Sequence, residues 1–167
     1  MASPPALVKK YEETGLARNH DEAQYFANVE NLDRAVGRVR STLDTMGLAE
    51  NTLVIFTSDN GPETLNRYPG ASYSYGSPDP LRGMKLWTTE AGFRVAGIMY
   101  WPSEISPGQI SNQPVSALDF LPTFCEVAGK ELPENIAFDG TSFLPAIQGK
   151  KINRDKPLIW AYYNSLN

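Results

Sequence analysis

From residue 20 to residue 47 the apolar positions keep a helical beat. Tyr25, Val29, Leu32, Val36, Val39, Leu43 and Met46 are spaced alternately four and three residues apart, which puts all seven on one face of a helix. Asn19 with Glu22 three residues on resembles a capping box, and Gly47 is a natural C-terminal stop. Glu30 and Arg34 add an ion pair one turn apart on the polar side. The same spacing could serve a coiled coil, but it lasts only about three heptads, so a helix laid on a sheet is the expected arrangement.

A different pattern follows. Thr52-Leu53-Val54-Ile55-Phe56-Thr57 is short, continuously apolar and rich in β-branched residues, which predicts a strand buried on both faces. It ends at Ser58-Asp59-Asn60-Gly61-Pro62. Residues 61–82 have no period and are dominated by Gly, Pro, Ser and Tyr, the composition of a long functional or mobile loop. Arg94–Trp101 predicts a second strand stopped by Pro102. Residues 117–129 predict a helix with Leu118, Leu121, Cys125 and Ala128 on one face, its first turn close before Pro122. A short helix is expected over Phe143–Gly149 and a third strand over Leu158–Tyr163. Helices alternating with apolar strands make the expected class α/β.

Proline placement agrees with this division. Of 13 prolines, Pro4 and Pro5 open the chain and the rest fall between Pro62 and Pro157. Only the first third can therefore carry long uninterrupted helix. The chain has 167 residues, 41% hydrophobic and 20% charged, enough for one core and unlike a disordered chain. A formal charge of -4 with no basic run argues against nucleic acid as the main partner. No apolar stretch approaches the ~18 residues of a membrane helix. Cys125 has no second cysteine to pair with, and His20 is the single histidine, which excludes a multi-His metal site. Met1–Pro5 has no positive or apolar leader segment, and the compartment stays open.

Few residues carry candidate chemistry. Asp59 and Asn60 follow a strand at its carboxyl end, where open α/β sheets place ligands. Their side chains offer hard oxygens suited to Ca²⁺ or Mg²⁺ rather than Zn²⁺. The same Asp-Asn-Gly-Pro run is also a turn former, and two donors do not fill a Ca²⁺ shell. Lys85, at the end of the long loop, could set a compact positive charge against an oxyanion or simply face solvent, as could Arg82 and Arg94. Glu90 is expected to partner Arg94. Cys125 has no basic neighbour and reads as a small core residue. His20 reads as a neutral, exposed helix-start residue.

The run Asn51–Pro62 resembles a signature segment of the sulfatase family, within the alkaline phosphatase-like superfamily. The likeness continues on both sides. Tyr25-Phe26-Ala27 through Leu32-Asp33 and Val36-Gly37-Arg38 resembles the helix before that strand. Leu81-Arg82-Gly83-Met84-Lys85 with Glu90-Ala91-Gly92-Phe93-Arg94-Val95 is similar to the family's Arg-Gly-x-Lys and Glu-Gly-Gly-x-Arg-Val segment. Asp119–Thr123 with Ala128-Gly129, then Asp139–Pro145 and Gly149, follow in family order. Ala91 and Ala96 stand where the family usually has Gly and Pro.

This resemblance implies a partial alkaline phosphatase-like mixed sheet flanked by helices, over 1–167 as a single partial domain. It implies that Asp59 and Asn60 are ligands of a divalent ion, Ca²⁺ or else Mg²⁺, and that Lys85 contacts a sulfate. It implies a parent enzyme that hydrolyses sulfate esters of small molecules or glycans, with a formylglycine nucleophile made in a Cys/Ser-x-Pro-x-Arg motif. The 167 residues contain no such motif, and Cys125 is followed by Glu126-Val127-Ala128. The expectation is thus a middle-to-C-terminal portion that is inactive alone and associates through exposed sheet edges. Three alternatives stand beside it: a non-catalytic metal-binding or interaction module, one chain of a split sulfatase, and a phosphodiesterase or phosphonate hydrolase of the same superfamily. Family members are often exported.

Overall fold

A computed structural model describes residues 3–64 and 75–161. The chain divides into two compact units, the first running through Met99 and the second Tyr100–Trp160.

The first unit opens with a helical hairpin. Helix α1 (Pro5–Glu13) starts on Pro5, whose missing N–H costs nothing in a first turn, and ends at Gly15, which turns the chain at φ +67°. Helix α2 (His20–Thr45) begins where predicted. The Asn19 side chain accepts the Glu22 N–H at 2.9 Å. The return half of the expected capping box goes elsewhere: the Glu22 carboxylate takes the backbone N–H and the guanidinium of Arg18. Leu7 and Val8 of α1 pack on Ala23 and Ala27 of α2, where small side chains let the helices approach closely. Three cationic or hydroxyl donors converge on Glu30. Lys10 Nζ donates at 2.6 Å, Tyr11 OH at 2.7 Å, and Arg34 Nη2 at 2.6 Å to the other oxygen.

The long apolar stripe of α2 is present but does not lie on a sheet. Among the described residues α2 packs on α1 and on the 3-10 turn Ala49–Asn51. Val29, Leu32, Val39 and Met46 are each half or more exposed. The face turned inward at the start of α2 is instead the Ala23/Ala27 face, selected by the proximity of α1. His20 also departs from expectation. Its Nδ1 lies 2.7 Å from Glu12 Oε1, and that hydrogen bond pushes the imidazole pKa up, toward the charged form.

Strands β1 (Val54–Thr57) and β2 (Gly97–Tyr100) pair in a two-stranded sheet. Both are shorter than their apolar runs. The expected burial on both faces is not reached: Val54, Ile55 and Phe56 are half-buried and Thr57 is exposed. Between the strands lies the four-residue helix α3 (Glu90–Phe93).

In the second unit, a 3-10 turn at Ala117–Asp119 runs into α4 (Phe120–Val127), with Pro122 in the first turn as its ring requires. The face expected to be buried is not. Leu118 and Leu121 are about half exposed, Ala128 is exposed, and Cys125 is half-buried. The largest fully buried side chains are Asp119, Thr123 and Phe143, with Ala146, Ile147 and Ile152 also buried, so a polar hub sits beside a small apolar core. Asp119 accepts from the Ser116 N–H at 2.7 Å and the Thr141 N–H at 2.8 Å, and from both Arg154 Nη atoms at 2.7 and 2.6 Å. Burial pushes the Asp119 carboxyl up, but the Arg154 guanidinium and those N–H donors outweigh it and hold it below its ordinary 3.8. Thr123 Oγ1 donates to the Asp119 carbonyl and accepts the Phe143 N–H. Helix α5 (Leu144–Ile147) follows, its last carbonyls taken by Gln109 Nε2. Leu158–Ala161 forms no strand, and the remainder of that expected strand lies outside the described residues.

The hairpin carries a pH dependence. Glu30 is drawn down from 4.5 to about 2, chiefly by the Lys10 and Tyr11 hydrogen bonds. A carboxyl depressed in the folded state stabilises it fully above the unfolded value and loses that contribution as pH falls. Helical circular dichroism of the chain should therefore decline as pH drops from 4.5 toward 2, and Glu30→Gln should flatten that decline. An acid profile unchanged by the substitution would contradict the assignment.

Candidate functional site

The site grows from the end of β1. After Thr57 the chain runs through Ser58, Asp59 and Asn60 to Gly61, which is buried against the start of α3. Gly61 N–H donates to the Gly92 carbonyl at 2.9 Å. A Cβ on Gly61 would stand 1.7 Å from the Ala91 carbonyl oxygen, so only glycine allows the two backbones to touch. One residue on, the Pro62 carbonyl accepts the Lys85 N–H at 2.9 Å. The Ala91 N–H in turn donates to the Arg82 carbonyl at 3.0 Å. These bonds tie the strand end, the Arg82–Lys85 segment and α3 into one backbone cluster.

The Lys85 backbone is held in a turn. Trp87 N–H donates to the Met84 carbonyl at 3.1 Å, and Leu86 between them sits at φ +70°. A non-glycine residue in the left-handed region stores local strain, and its neighbours must enforce it. They are tightly set: Met84 is buried, and a Cβ on Gly92 would stand 1.9 Å from the Trp87 carbonyl oxygen. Thr89 Oγ1 is buried where a Cβ on Gly83 would fall and has no hydrogen-bond partner among the described residues.

These segments border an open cavity of about 630 Å³. Asn60 and Lys85 both line it, so two of the three expected site residues meet there. Asp59 is exposed and is not among the lining residues. Asn60 Nδ2 donates to the Gly61 carbonyl at 2.9 Å, which fixes the amide plane and leaves Oδ1 as its acceptor end. Ser58 Oγ donates to the Asn60 carbonyl at 3.2 Å, closing the turn predicted for this run. Glu63, Asp79 and Arg94 add charge of both signs. Arg94 is the partner of Glu90 as expected, its Nη1 donating at 2.9 Å. Tyr25, assigned by its spacing to a core-facing stripe, lines the cavity instead. No periodicity could have revealed that, because a cavity wall and a core face want the same residue types at the same spacing.

The donor set fits a hard divalent cation in part. A carboxylate and an amide oxygen on adjacent residues match two positions of such a shell. Among the described residues no three His, Cys, Asp or Glu side chains gather, so the remaining ligands are not supplied by a carboxylate cluster here.

The Asp-Asn pair thus follows a strand's carboxyl end, and the turn it opens is backbone-bonded to the Lys85 segment beside the cavity. Comparison with known proteins identifies the family. The sulfatase family model matches residues 2–130, and the chain belongs to the sulfatase family. It is 40% identical over 137 residues to steryl-sulfatase of Rattus norvegicus, covering 82% of this chain and 24% of the relative. It is 42% identical over 118 residues to human arylsulfatase A, covering 71% and 22%. The crystal structure of Ps i-CgsB in complex with k-i-k-neocarrahexaose matches with a TM-score of 0.75 at 33% identity, over 93% of this chain and 32% of that one. The chain thus spans about a quarter of the length of the curated relatives it matches. The fold is part of the α/β, alkaline phosphatase-like fold of these sulfatases.

The Gly61 contact is testable. Gly61→Ala should cost about 2–3 kcal/mol, the upper range for overpacking, because backbone rather than a mobile side chain must give way. Gly37→Ala, on α2 with nothing within 4 Å, should instead gain about 0.5–1 kcal/mol. Urea denaturation of both variants checks the contrast, and equal stabilities would refute the close approach.

Proposed function

We propose that this chain supplies part of the cation- and sulfate-binding surface of a sulfuric ester hydrolase. Asp59 and Asn60 are two ligands of a divalent ion, Ca²⁺ in preference to Mg²⁺, and Lys85 holds a substrate sulfate oxygen. The carrying observation is that Asn60 and Lys85, distant in sequence, line one cavity through the Gly61–Gly92 and Pro62–Lys85 backbone bonds. Family membership supports the chemistry. Ca²⁺ is preferred because the donors are hard oxygens and Mg²⁺ demands stricter octahedral geometry than two adjacent side chains impose.

The physical logic is electrostatic. A sulfate ester under attack at sulfur needs its non-bridging oxygens held and their charge offset. A bound divalent cation would polarise those oxygens as a Lewis acid. Lys85 contributes a compact ammonium, a point charge rather than a planar fork. Its turn and backbone bond bring that charge to the cavity before substrate arrives. The substrate class is a sulfated small molecule or glycan. No Cys/Ser-x-Pro-x-Arg run occurs in the 167 residues, which supports binding without turnover by the chain alone.

Calorimetric titration of the 167-residue chain should detect Ca²⁺ binding, weakened about tenfold or more by Asp59→Ala or Asn60→Ala, at least the loss seen when metal-site supports are removed. Lys85→Ala should leave Ca²⁺ binding intact and weaken binding of an aryl sulfate. Aryl sulfate turnover by the wild-type chain that Asp59→Ala abolishes would overturn the reading of an incomplete enzyme. The paired strands β1 and β2 and the exposed stripe of α2 should also drive self-association. Sedimentation velocity would show oligomers, and a single monomeric boundary at all concentrations would contradict this.

A further inference from the structure

Resting on the sulfate-binding role of Lys85, we propose that Tyr25 is a specificity-determining residue, a ring platform that selects sulfate esters carried on a six-membered ring. The argument starts from where Tyr25 stands. It lines the same cavity as Asn60 and Lys85, so an aromatic ring and an ammonium-bearing residue border one space. A ligand with a sulfate at one end and an apolar ring face at the other matches that separation of chemistry.

The ring is held from several sides. Phe26 stands 6.0 Å away edge-on, and Tyr75 6.1 Å away. Tyr75 is itself anchored, its OH donating to Asn19 Oδ1 at 3.1 Å, with the Arg18 guanidinium 5.8 Å from its ring. Asn19 Oδ1 is also the cap of α2, the helix that carries Tyr25. Helix start, loop tyrosine and cavity tyrosine are therefore coupled through one side-chain oxygen. An aromatic side chain with two torsions, braced this way, gives contact area at low entropic cost.

Charge places the ring partner further. Glu63 and Asp79 also line the cavity, opposite in sign to Lys85 and Arg94, and carboxylates accept from hydroxyl donors. Both an aryl ring and a pyranose present a flat C–H or π face to tyrosine, so the shared chemistry is a ring sulfate ester. An acyclic alkyl sulfate has none.

Binding of phenyl sulfate, glucose 6-sulfate, ethyl sulfate and inorganic sulfate to the full 167-residue chain with Ca²⁺ would test this, by calorimetry or ligand-observed NMR. Tyr25→Leu keeps bulk and removes the ring, and Tyr25→Phe keeps the ring. The expected result is an about fivefold to tenfold loss for a ring sulfate with Tyr25→Leu, from one lost aromatic contact. Tyr25→Phe should retain that affinity, and ethyl and inorganic sulfate should not change. Loss confined to phenyl sulfate assigns the platform to aryl esters, and loss confined to glucose 6-sulfate to sugars. Equal losses for all four ligands, or none, would overturn the platform. Lys85→Ala separates the underlying reading: it should weaken all four. Should Lys85→Ala change nothing while Tyr25→Leu still discriminates, the sulfate assignment falls and the ring platform stands. Binding of none of the four overturns both.

Discussion

The site depends on one close approach of backbone to backbone. Where Gly61 meets Ala91 and Gly92 there is no room for a side chain, and the chain leaving β1 is hydrogen-bonded to the segment entering β2. Everything chemically interesting is positioned by that contact. Asn60 precedes it, Pro62 follows it and accepts from Lys85, and Ala91 donates back to Arg82. The Asn60 amide and the Lys85 ammonium, from separate stretches, thereby reach one cavity through backbone bonds. Backbone placement of this kind is less mobile than a pair of long side chains reaching for each other.

Much of the first unit is legible in the sequence because its signals are local. The helix α2, its Asn19 cap and its Gly47 stop are read from spacing and turn chemistry, and both strands fall inside the apolar runs that predict them. Asp59 and Asn60 are singled out by their place after β1, Lys85 by its place at the end of the long loop, and all three by resemblance; Asn60 and Lys85 line the cavity, while Asp59 lies exposed. What periodicity cannot reveal is which neighbour an apolar face meets. Tyr25 shares its stripe with Val29 and Leu32, yet it borders the cavity while they face outward. In the second unit the same limit is sharper. Asp119 looks like an ordinary helix-start acid until Arg154 closes on it.

The exposed stripes accord with the chain's share of its relatives. A protein of this family is about four times as long as the matched region. Val29, Leu32, Val39 and Met46 on α2, and Leu118, Leu121 and Phe124 on α4, are apolar at helical spacing with no cover among the described residues. Such patches mark surfaces built to meet another surface.

The two units close their contacts over different distances along the chain. The hairpin bond from Lys10 to Glu30 joins residues 20 apart, whereas the Arg154–Asp119 bonds join residues 35 apart. Loop closure must precede the stabilisation such contacts give, and local topology folds faster. The α1–α2 hairpin can therefore form early, from its own segment. The turn at Ala117–Asp119 and the start of α4 wait for Arg154 to arrive, because the carboxylate that caps them is buried only with its guanidinium in place. During synthesis from the N-terminus, the second unit's polar centre stays open until Arg154, 35 residues after Asp119, has emerged.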